Sequence, residues 1–456
     1  MKLLLIGLNS RYTHVSLAVY SIKEYLKLKG IESEICEYTI NDPYEDIFFD
    51  IVEKSPDIIG FSTYIWNISL ACRLADDLKK ALPSVKIIFG GPEAGYSGKT
   101  YAGVDKIITG EGESQMYEYL TGNSDRADFN ALPFSYEKIP DTGKTVYYES
   151  SRGCPYRCSY CISSLEKELR FKDFDMVKKD LTFFFENNVK KVKFIDRTFN
   201  IRKDAYEIFK FIIENSRTTD FHFEIKPELF SEKDFELLKK ARKDLFRFEV
   251  GIQSLNEKTL GAINRKNDTA LIFKNLGRII NETEVTVHAD LIAGLPYEDL
   301  ESFKNGFNKV YALKPHVLQL GFLKVLHGTQ IEKDAQKYGI VYSSYPPYQF
   351  IKTDFLSVSD TSELKIAENG LEVFSNKGFF PASLDFLFEN NDILPYDFFL
   401  MCGNALKNRP PMSHPTLFKL FFGLYKENGF NRAEEFSRLL TADFKLKNPT
   451  KSLILT

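Results

Sequence analysis

Cysteine is scarce in this chain: six in 456 residues, too few and too unevenly placed for a disulfide framework. Three of the six fall within eight residues, which points instead to a metal in a reducing compartment. An excess of charge is lacking too. Sixty Lys and Arg against 63 Asp and Glu leave a formal net charge of -3, so no whole-chain cationic field gathers nucleic acid or anionic membrane, and any such binding must be local. Long hydrophobic runs are missing. The N-terminus, MKLLLIGLNSRYTHVS, has one Lys and a short apolar run, too short for a signal-peptide core or a bilayer span, so a cytoplasmic protein without membrane insertion is expected. No internal repeat or low-complexity tract stands out. Hydrophobic residues at 43% and charged residues at 27% supply material for full cores, and a length about three times the ~150 residues of an ordinary domain predicts two or three domains.

The first ~120 residues alternate short apolar strands with amphipathic helix patterns: KLLLIGL, IESEICEY, DIIGFSTY and VKIIFGG, separated by helices near Ser16–Lys29, Tyr44–Lys54 and Ser69–Leu82. This predicts a doubly wound parallel α/β sheet, Rossmann-like in its winding, with a ligand at the C-terminal strand edges, where Gly and polar residues cluster. A linker is expected over 127–146. A second strand and helix series then runs from VYYESSRGC through VKKVKFID, FHFEIK, LFRFEVGI, VTVHADLI and VLQLGFLKVL, predicting a full or partial (β/α) barrel. Beyond Ser343 the strand rhythm fades and a mainly α-helical domain is expected. The predicted division is 1–126, linker 127–146, 147–343 and 344–456.

SRGCPYRCSYC places Cys154, Cys158 and Cys161 in a C-x3-C-x2-C spacing directly after a predicted strand. Three thiolates on one loop hold three corners of an iron-sulfur cube and leave one iron open. Zinc is the competitor, but a structural zinc wants a fourth protein ligand and none is near in sequence. This spacing at the head of a (β/α) series resembles the radical S-adenosyl-L-methionine (SAM) superfamily. The resemblance implies a [4Fe–4S] cluster whose open iron binds SAM, and reductive cleavage to a 5'-deoxyadenosyl radical with electrons from a flavodoxin- or ferredoxin-type reductant. It implies SAM contacts by Tyr160, by Asp196 and Asn200 of FIDRTFN, which also carries Arg197, by Glu224 of FHFEIKPELF, and by Gln253, Ser254 and Arg265 of FEVGIQSLNEKTLGAINRKN. Each has a bland alternative as a loop cap or ion pair. For Glu224, burial in an apolar strand without a partner is costly, so a hydroxyl or ammonium should meet it.

IGLNSRYTH, IIGFSTYIWN, IIFGGPEAG and IITGEGE resemble the cobalamin (vitamin B12)-binding domain that precedes the barrel in one class of these enzymes. A corrinoid is a broad disc with amide arms and a nucleotide tail, and it wants backbone groups and small side chains along a sheet edge. The resemblance implies contacts from Asn9, Ser10, Tyr12, Ser62, Thr63, Tyr64, Trp66, Gly90, Gly91, Pro92, Glu93, Gly110 and Glu111. A flavodoxin-like domain with another ligand is the alternative. The D-x-H-x-x-G signature that supplies an axial imidazole in some cobalamin enzymes is absent, since NSRYTHVSL stands after the first strand. His14 sits there at another offset and is expected to be a loop histidine.

The expected activity is therefore that of a cobalamin-dependent radical SAM methyltransferase, moving methyl from SAM through methylcobalamin to an unactivated carbon. The same cofactors also serve cyclisation, rearrangement and sulfur or methylthio chemistry, on RNA among other substrates, and a cobalamin or redox sensor is a further alternative. Catalytic residues beyond the cofactor ligands are not legible. The tail carries nine Lys or Arg against four acidic residues from Asn404 to Thr456, a patch for RNA phosphates or a solvated face. It is expected to select the substrate, a small molecule or RNA, and to take no part in holding cofactors.

Overall fold

The computed structural model describes residues 1–456 except 137, 139, 140, 167 and 456. Residues 137, 139 and 140 belong to the expected linker, so that part of the expectation lies outside the described residues.

The N-terminal layer runs β1 (Leu3–Asn9), α1 (Leu17–Leu28), β2 (Glu34–Thr39), α2 (Tyr44–Glu53), β3 (Ile58–Ser62), α3 (Ile68–Ala81), β4 (Lys86–Gly90), α4 (Pro92–Ser97), β5 (Lys106–Ile107) and α5 (Gly112–Thr121). All five strands are parallel in the order β2-β1-β3-β4-β5. The period-2 side-chain alternation of β1 explains its apolar run. Leu3 and Leu5 pack with Val19 and Leu26 of α1 and Met116 of α5, while Leu4, Ile6 and Leu8 pack with Ile47 and Ile51 of α2 and Leu74 and Leu78 of α3. The strand order reverses between β1 and β3, which opens a crevice at their C-terminal ends. Asn67 spans it, donating to Leu8 O at 3.0 Å and Ser62 O at 2.9 Å.

The second layer comprises β6 (Thr145–Tyr148), β7 (Ser151–Arg152), β8 (Arg170–Phe171), α6 (Phe174–Glu186), β9 (Lys191–Phe194), α7 (Ala205–Asn215), β10 (Asp220–Glu224), α8 (Glu232–Leu238), β11 (Phe246–Gln253), α9 (Glu257–Ala262), α10 (Thr269–Glu282), β12 (Thr286–Ala293), α11 (Leu300–Tyr311) and β13 (Val317–Phe322). Six strands form one parallel sheet in the order β13-β12-β11-β10-β9-β6. β6 and β13 stand at opposite ends of that order, so the expected barrel is present among the described residues only as this open six-stranded sheet. Both edges are covered by neighbouring modules. Thr145 N donates to Thr13 O at 2.8 Å on the β6 side. On the β13 side the Asn376 amide accepts from Leu318 N at 3.1 Å and donates to Leu318 O at 3.0 Å.

The tail follows with α12 (Gln330–Lys333), the antiparallel hairpin of β14 (Val341–Tyr342) and β15 (Phe350–Lys352), and five helices, α13 (Val358–Leu371), α14 (Pro381–Asn390), α15 (Pro395–Leu406), α16 (His414–Glu427) and α17 (Ala433–Lys447). Its aromatic content is explained by packing. Phe307 and Tyr311 of α11 meet Phe399 of α15 with ring centroids 6.3 and 5.2 Å apart, so barrel and tail share one apolar core. Among the described residues no helix is long and apolar enough to cross a membrane.

Candidate active site

The chain leaves β6, forms the small β7–β8 hairpin and between these strands makes the cysteine loop. Gly153 has φ +91°, and a Cβ there would overlap the Glu168 carbonyl, so only glycine fits the loop entry. The loop is pinned by backbone bonds from Ser159 N to Ile263 O at 2.9 Å and from Ile331 N to Ser159 O at 2.8 Å. Cys154, Cys158 and Cys161 all line one cavity of about 200 Å³, together with Tyr160, Arg197, Glu224, Gln253 and Arg265. Among the described residues no three His, Cys, Asp or Glu side chains are gathered around a point that would hold a single ion.

The walls of this cavity fit a cluster with a polar ligand. Arg265 Nη1 lies 3.6 Å from Cys158 Sγ and 3.4 Å from the Tyr160 hydroxyl, placing positive charge beside a thiolate ligand. Gln253 Oε1 and Asp290 Oδ1 are buried cavity-lining atoms without a protein partner, a cost of about 1–3 kcal/mol each that a bound donor relieves. Gln253 reaches inward because β11 bulges between Gly251 and Gln253 and Gln253 takes φ +71°. Burial pushes the Glu224 carboxyl up, with Arg197 at 3.6 Å opposing. Burial, with Glu249 and Glu224 nearby, pushes Asp290 well above the usual carboxylate range. Burial would raise Glu249 too, but His222 and Lys193 outweigh it and hold the group at about 2.

Three expected SAM contacts stand elsewhere. Asp196 is fully buried and spends its carboxylate on Ser150 N at 3.0 Å, Ser150 Oγ at 2.6 Å and Ser151 Oγ at 2.5 Å. It fixes the strand end before the cysteine loop, and its neighbour Arg197 reaches the cavity instead. Asn200 clasps the Lys226 backbone, donating to O at 2.8 Å and accepting from N at 3.0 Å. Ser254 donates to Glu298 at 2.6 Å. None of the three lines the cavity. Glu249 and Asp290 do line it and were missed, although polar residues alternating with apolar ones in FRFEVGIQ and TVHADLIA mark the inward face of β11 and β12.

A second cavity of about 440 Å³ opens between the first sheet's edge and the barrel, lined by Asn9, Ser10, His14, Tyr64, Trp66, Pro92, Glu93, Lys193, Arg197, Glu224 and His327. Tyr64 and Trp66 stack at 4.3 Å and 5°, a flat apolar surface suited to a macrocycle. A third space, about 250 Å³, runs between Leu5, Gly60 and Ile88 of the sheet and Ile22 and Met116 of the covering helices, past Ser62, Gly90, Gly91, Gly110 and Glu111. A Cβ on Gly60 would come within 3.0 Å of Met116 Cε, so the missing side chain leaves the slot open for a ligand's tail. Leu17, Tyr64 and Ile195 line both spaces. Two of the residues expected to contact cobalamin stand outside both spaces. Tyr12 is 74% exposed and lines neither space. Thr63 is fully buried and bonds Gly90 O at 2.7 Å, which braces the Gly91 turn. His14 faces the Tyr147 hydroxyl with Nδ1 at 2.8 Å.

A space at the C-terminal edge of the first sheet that shares Arg197 and Glu224 with the three-cysteine cavity is the arrangement expected of a radical SAM protein with a cobalamin module ahead of it. Family models agree in order along the chain: the B12 binding domain over residues 3–120, the radical SAM superfamily over 148–309, and a protein of unknown function (DUF4080) over 336–455. The chain carries a B12 binding domain followed by a radical SAM domain, the combination of cobalamin-binding radical SAM enzymes, whose cofactors are a [4Fe–4S] cluster, SAM and cobalamin. It is similar to the cobalamin-dependent radical SAM methyltransferase TokK of Streptomyces tokunonensis, 24% identical over 62% of this chain and 49% of TokK. It is also similar to the 2-(S-pantetheinyl)-carbapenam-3-carboxylate methyltransferase of Streptantibioticus cattleyicolor, 23% identical over 57% of this chain and 46% of that one. The chain thus spans about half the length of these curated relatives. In fold it matches the radical SAM methyltransferase TsrM of Kitasatospora setae, solved with cobalamin and a [4Fe–4S] cluster, at TM-score 0.65 and 13% identity over 98% of this chain and 99% of TsrM.

Proposed function

We propose that this protein is a methyltransferase that carries a methyl group from SAM by way of cobalamin to an unactivated carbon of its substrate. One observation carries the reading: Arg197 and Glu224 line both the cysteine cavity and the corrinoid space, so both cofactor sites open onto one shared volume. When bound, the cluster and SAM supply a radical for hydrogen abstraction and cobalamin supplies a methyl carrier. The chain's own residues hold, orient and shield. Cys154, Cys158 and Cys161 hold three irons, and Tyr160, Glu224, Gln253 and Arg265 orient SAM. Asn9, Ser10, Tyr64, Trp66, Pro92 and Glu93 would hold the corrin ring, and Ser62, Gly90, Gly91, Gly110 and Glu111 would hold its tail. Ile162, Ile195 and Leu326 make the shared volume apolar on one side and keep water from a reactive carbon centre. His14 lines this space with its Nδ1 2.8 Å from the Tyr147 hydroxyl, and it is proposed to be a loop histidine and not a metal ligand, because the D-x-H-x-x-G spacing is absent around it.

The electron donor is proposed to be a flavodoxin- or ferredoxin-type protein, and the tail is proposed to select a small molecule or RNA. The test is anaerobic turnover of methyl-labelled SAM with fractionated extract as the substrate source. Label in a carbon-bound methyl, with 5'-deoxyadenosine and S-adenosylhomocysteine formed together, supports the reading. Radical formation with no methyl transfer would replace it by cyclisation, rearrangement or sulfur chemistry. No 5'-deoxyadenosine at all would favour a sensor.

A further inference from the structure

The corrinoid space is not closed by the N-terminal sheet and the barrel alone. Glu93, in the first turn of α4, is 4% exposed and lines that space. It accepts a hydrogen bond from the hydroxyl of Tyr348, a residue 255 positions later in the chain, in the hairpin that opens the tail. Backbone pairing fixes Tyr348. Val325 N donates to Tyr348 O at 3.0 Å and Phe350 N donates to Leu323 O at 2.9 Å, so the tail hairpin is zipped to the segment leaving β13. Beside Tyr348 and Glu93 stands His327, which also lines the space. Its Nδ1 is 2.7 Å from Glu332, its Nε2 is 3.9 Å from Glu93 and 3.4 Å from Lys99 Nζ, and its ring centroid is 4.7 Å from that of Tyr348. Gly328, at φ +79°, lies so near α4 that a Cβ would be 3.3 Å from Tyr96 Cβ.

We infer that the first hairpin of the tail completes the cobalamin site, with Tyr348 positioning the Glu93 carboxylate at the cavity edge as an acceptor for the carboxamide arms of the corrin ring. A buried carboxylate without donors is costly. Tyr348 supplies one donor, and burial together with Glu93 keeps its hydroxyl protonated by raising its pKa. The carboxylate is thereby held in place, with acceptor capacity left for a ligand amide. This gives the module of unknown function a cofactor role, against the expectation that the tail takes no part in holding cofactors. The inference rests on the reading that the space takes cobalamin.

The experiment titrates full-length, cluster-reconstituted protein with hydroxocobalamin. Tyr348→Phe removes one hydroxyl and should weaken binding roughly ten-fold or more, the loss of one hydrogen bond to a charged acceptor, while iron and sulfide content stay at the wild-type level. Tyr345→Phe, an exposed ring on the same hairpin, should bind as wild type. Glu93→Gln gives a second measure that does not depend on the folding of Tyr348→Phe. Its loss and that of Tyr348→Phe should be less than additive in the double variant, as for two residues acting through one contact. Unchanged affinity in Tyr348→Phe, or fully additive losses, would overturn the inference. A wild-type chain that takes up no cobalamin would instead sink the functional reading beneath it.

Discussion

Glu224→Gln is the most informative single change, because it alters charge without altering shape at the wall shared by both cofactor spaces. Glu224 Oε1 lies 3.6 Å from Arg197 Nη1, with 26% and 46% of the two side chains accessible. At an effective dielectric of 20 the bare attraction at that separation is about 4–5 kcal/mol. The accessible surface faces the two cavities, so solvent in them screens the pair, and a net contribution of about 1–2 kcal/mol is the sensible expectation. An effect of that size realised in the transition state for SAM cleavage corresponds to roughly ten-fold in rate. The pH dependence gives a sharper test. Burial raises the Glu224 pKa above its ordinary value, so the carboxylate and its contribution are present at high pH and fade as pH falls through the raised value. Glutamine mimics the protonated form, so wild type and variant should converge towards acid pH and separate towards alkaline pH. The assay is dithionite-driven 5'-deoxyadenosine formation at several pH values, with iron content and melting temperature in parallel. A wild-type to variant ratio that does not change with pH, or a loss of stability equal to the loss of activity, would refute the assignment.

Replacing Cys154, Cys158 and Cys161 together by Ala should abolish both the brown absorbance and all SAM cleavage, whereas anaerobic reconstitution of the wild type should give about four irons per chain; one tight zinc on a colourless wild type would contradict this. His14→Ala should leave the bound cobalt spectrum nearly unchanged, because His14 stands outside the D-x-H-x-x-G spacing that presents an axial imidazole; a large spectral shift would make His14 an axial ligand. Gly91→Ala places a Cβ 2.5 Å from Thr63 O on a backbone with φ +97° and should cost roughly 2–3 kcal/mol in urea unfolding, with cobalamin uptake lost before cluster content.

Periodicity made the architecture legible, since apolar strands buried on both faces can only be parallel strands under helices. The site was less legible by one residue at several points. Asp196 and Arg197 are neighbours in FIDRTFN, and only the structure shows that the first turns back to Ser150 while the second enters the cavity. The same holds for Ser254 beside Gln253, where a bulge and a left-handed backbone decide which side chain points inward. Thr63 beside Ser62 and Tyr64 differs in the same way. A motif fixes a segment at the site, but the direction of each loop side chain follows from backbone dihedrals that composition does not encode. Glu249 and Asp290 were readable in principle, because strand alternation alone sends them to the barrel's interior.

The role of the tail was least readable, because its consequences lie in contacts of very long sequence separation. An open six-stranded sheet has two free edges, and unpaired backbone groups at such edges are costly when buried and prone to pair with another chain when exposed. Here the cobalamin module covers β6 through Thr13, and the tail covers β13 through Asn376. The ring of Phe350 lies where any side chain at Gly294 would stand, 2.5 Å from a Cβ there, so the hairpin fills space the barrel leaves vacant. The barrel and tail helices also share a continuous apolar core. Removing the tail would therefore expose an edge, empty a packed site and release Glu93 at once, whatever substrate it serves. The substrate selection proposed for the tail and the cofactor retention inferred for its first hairpin are thus two demands on one element. They are separable only by point changes such as Tyr348→Phe, which leave the edge covered.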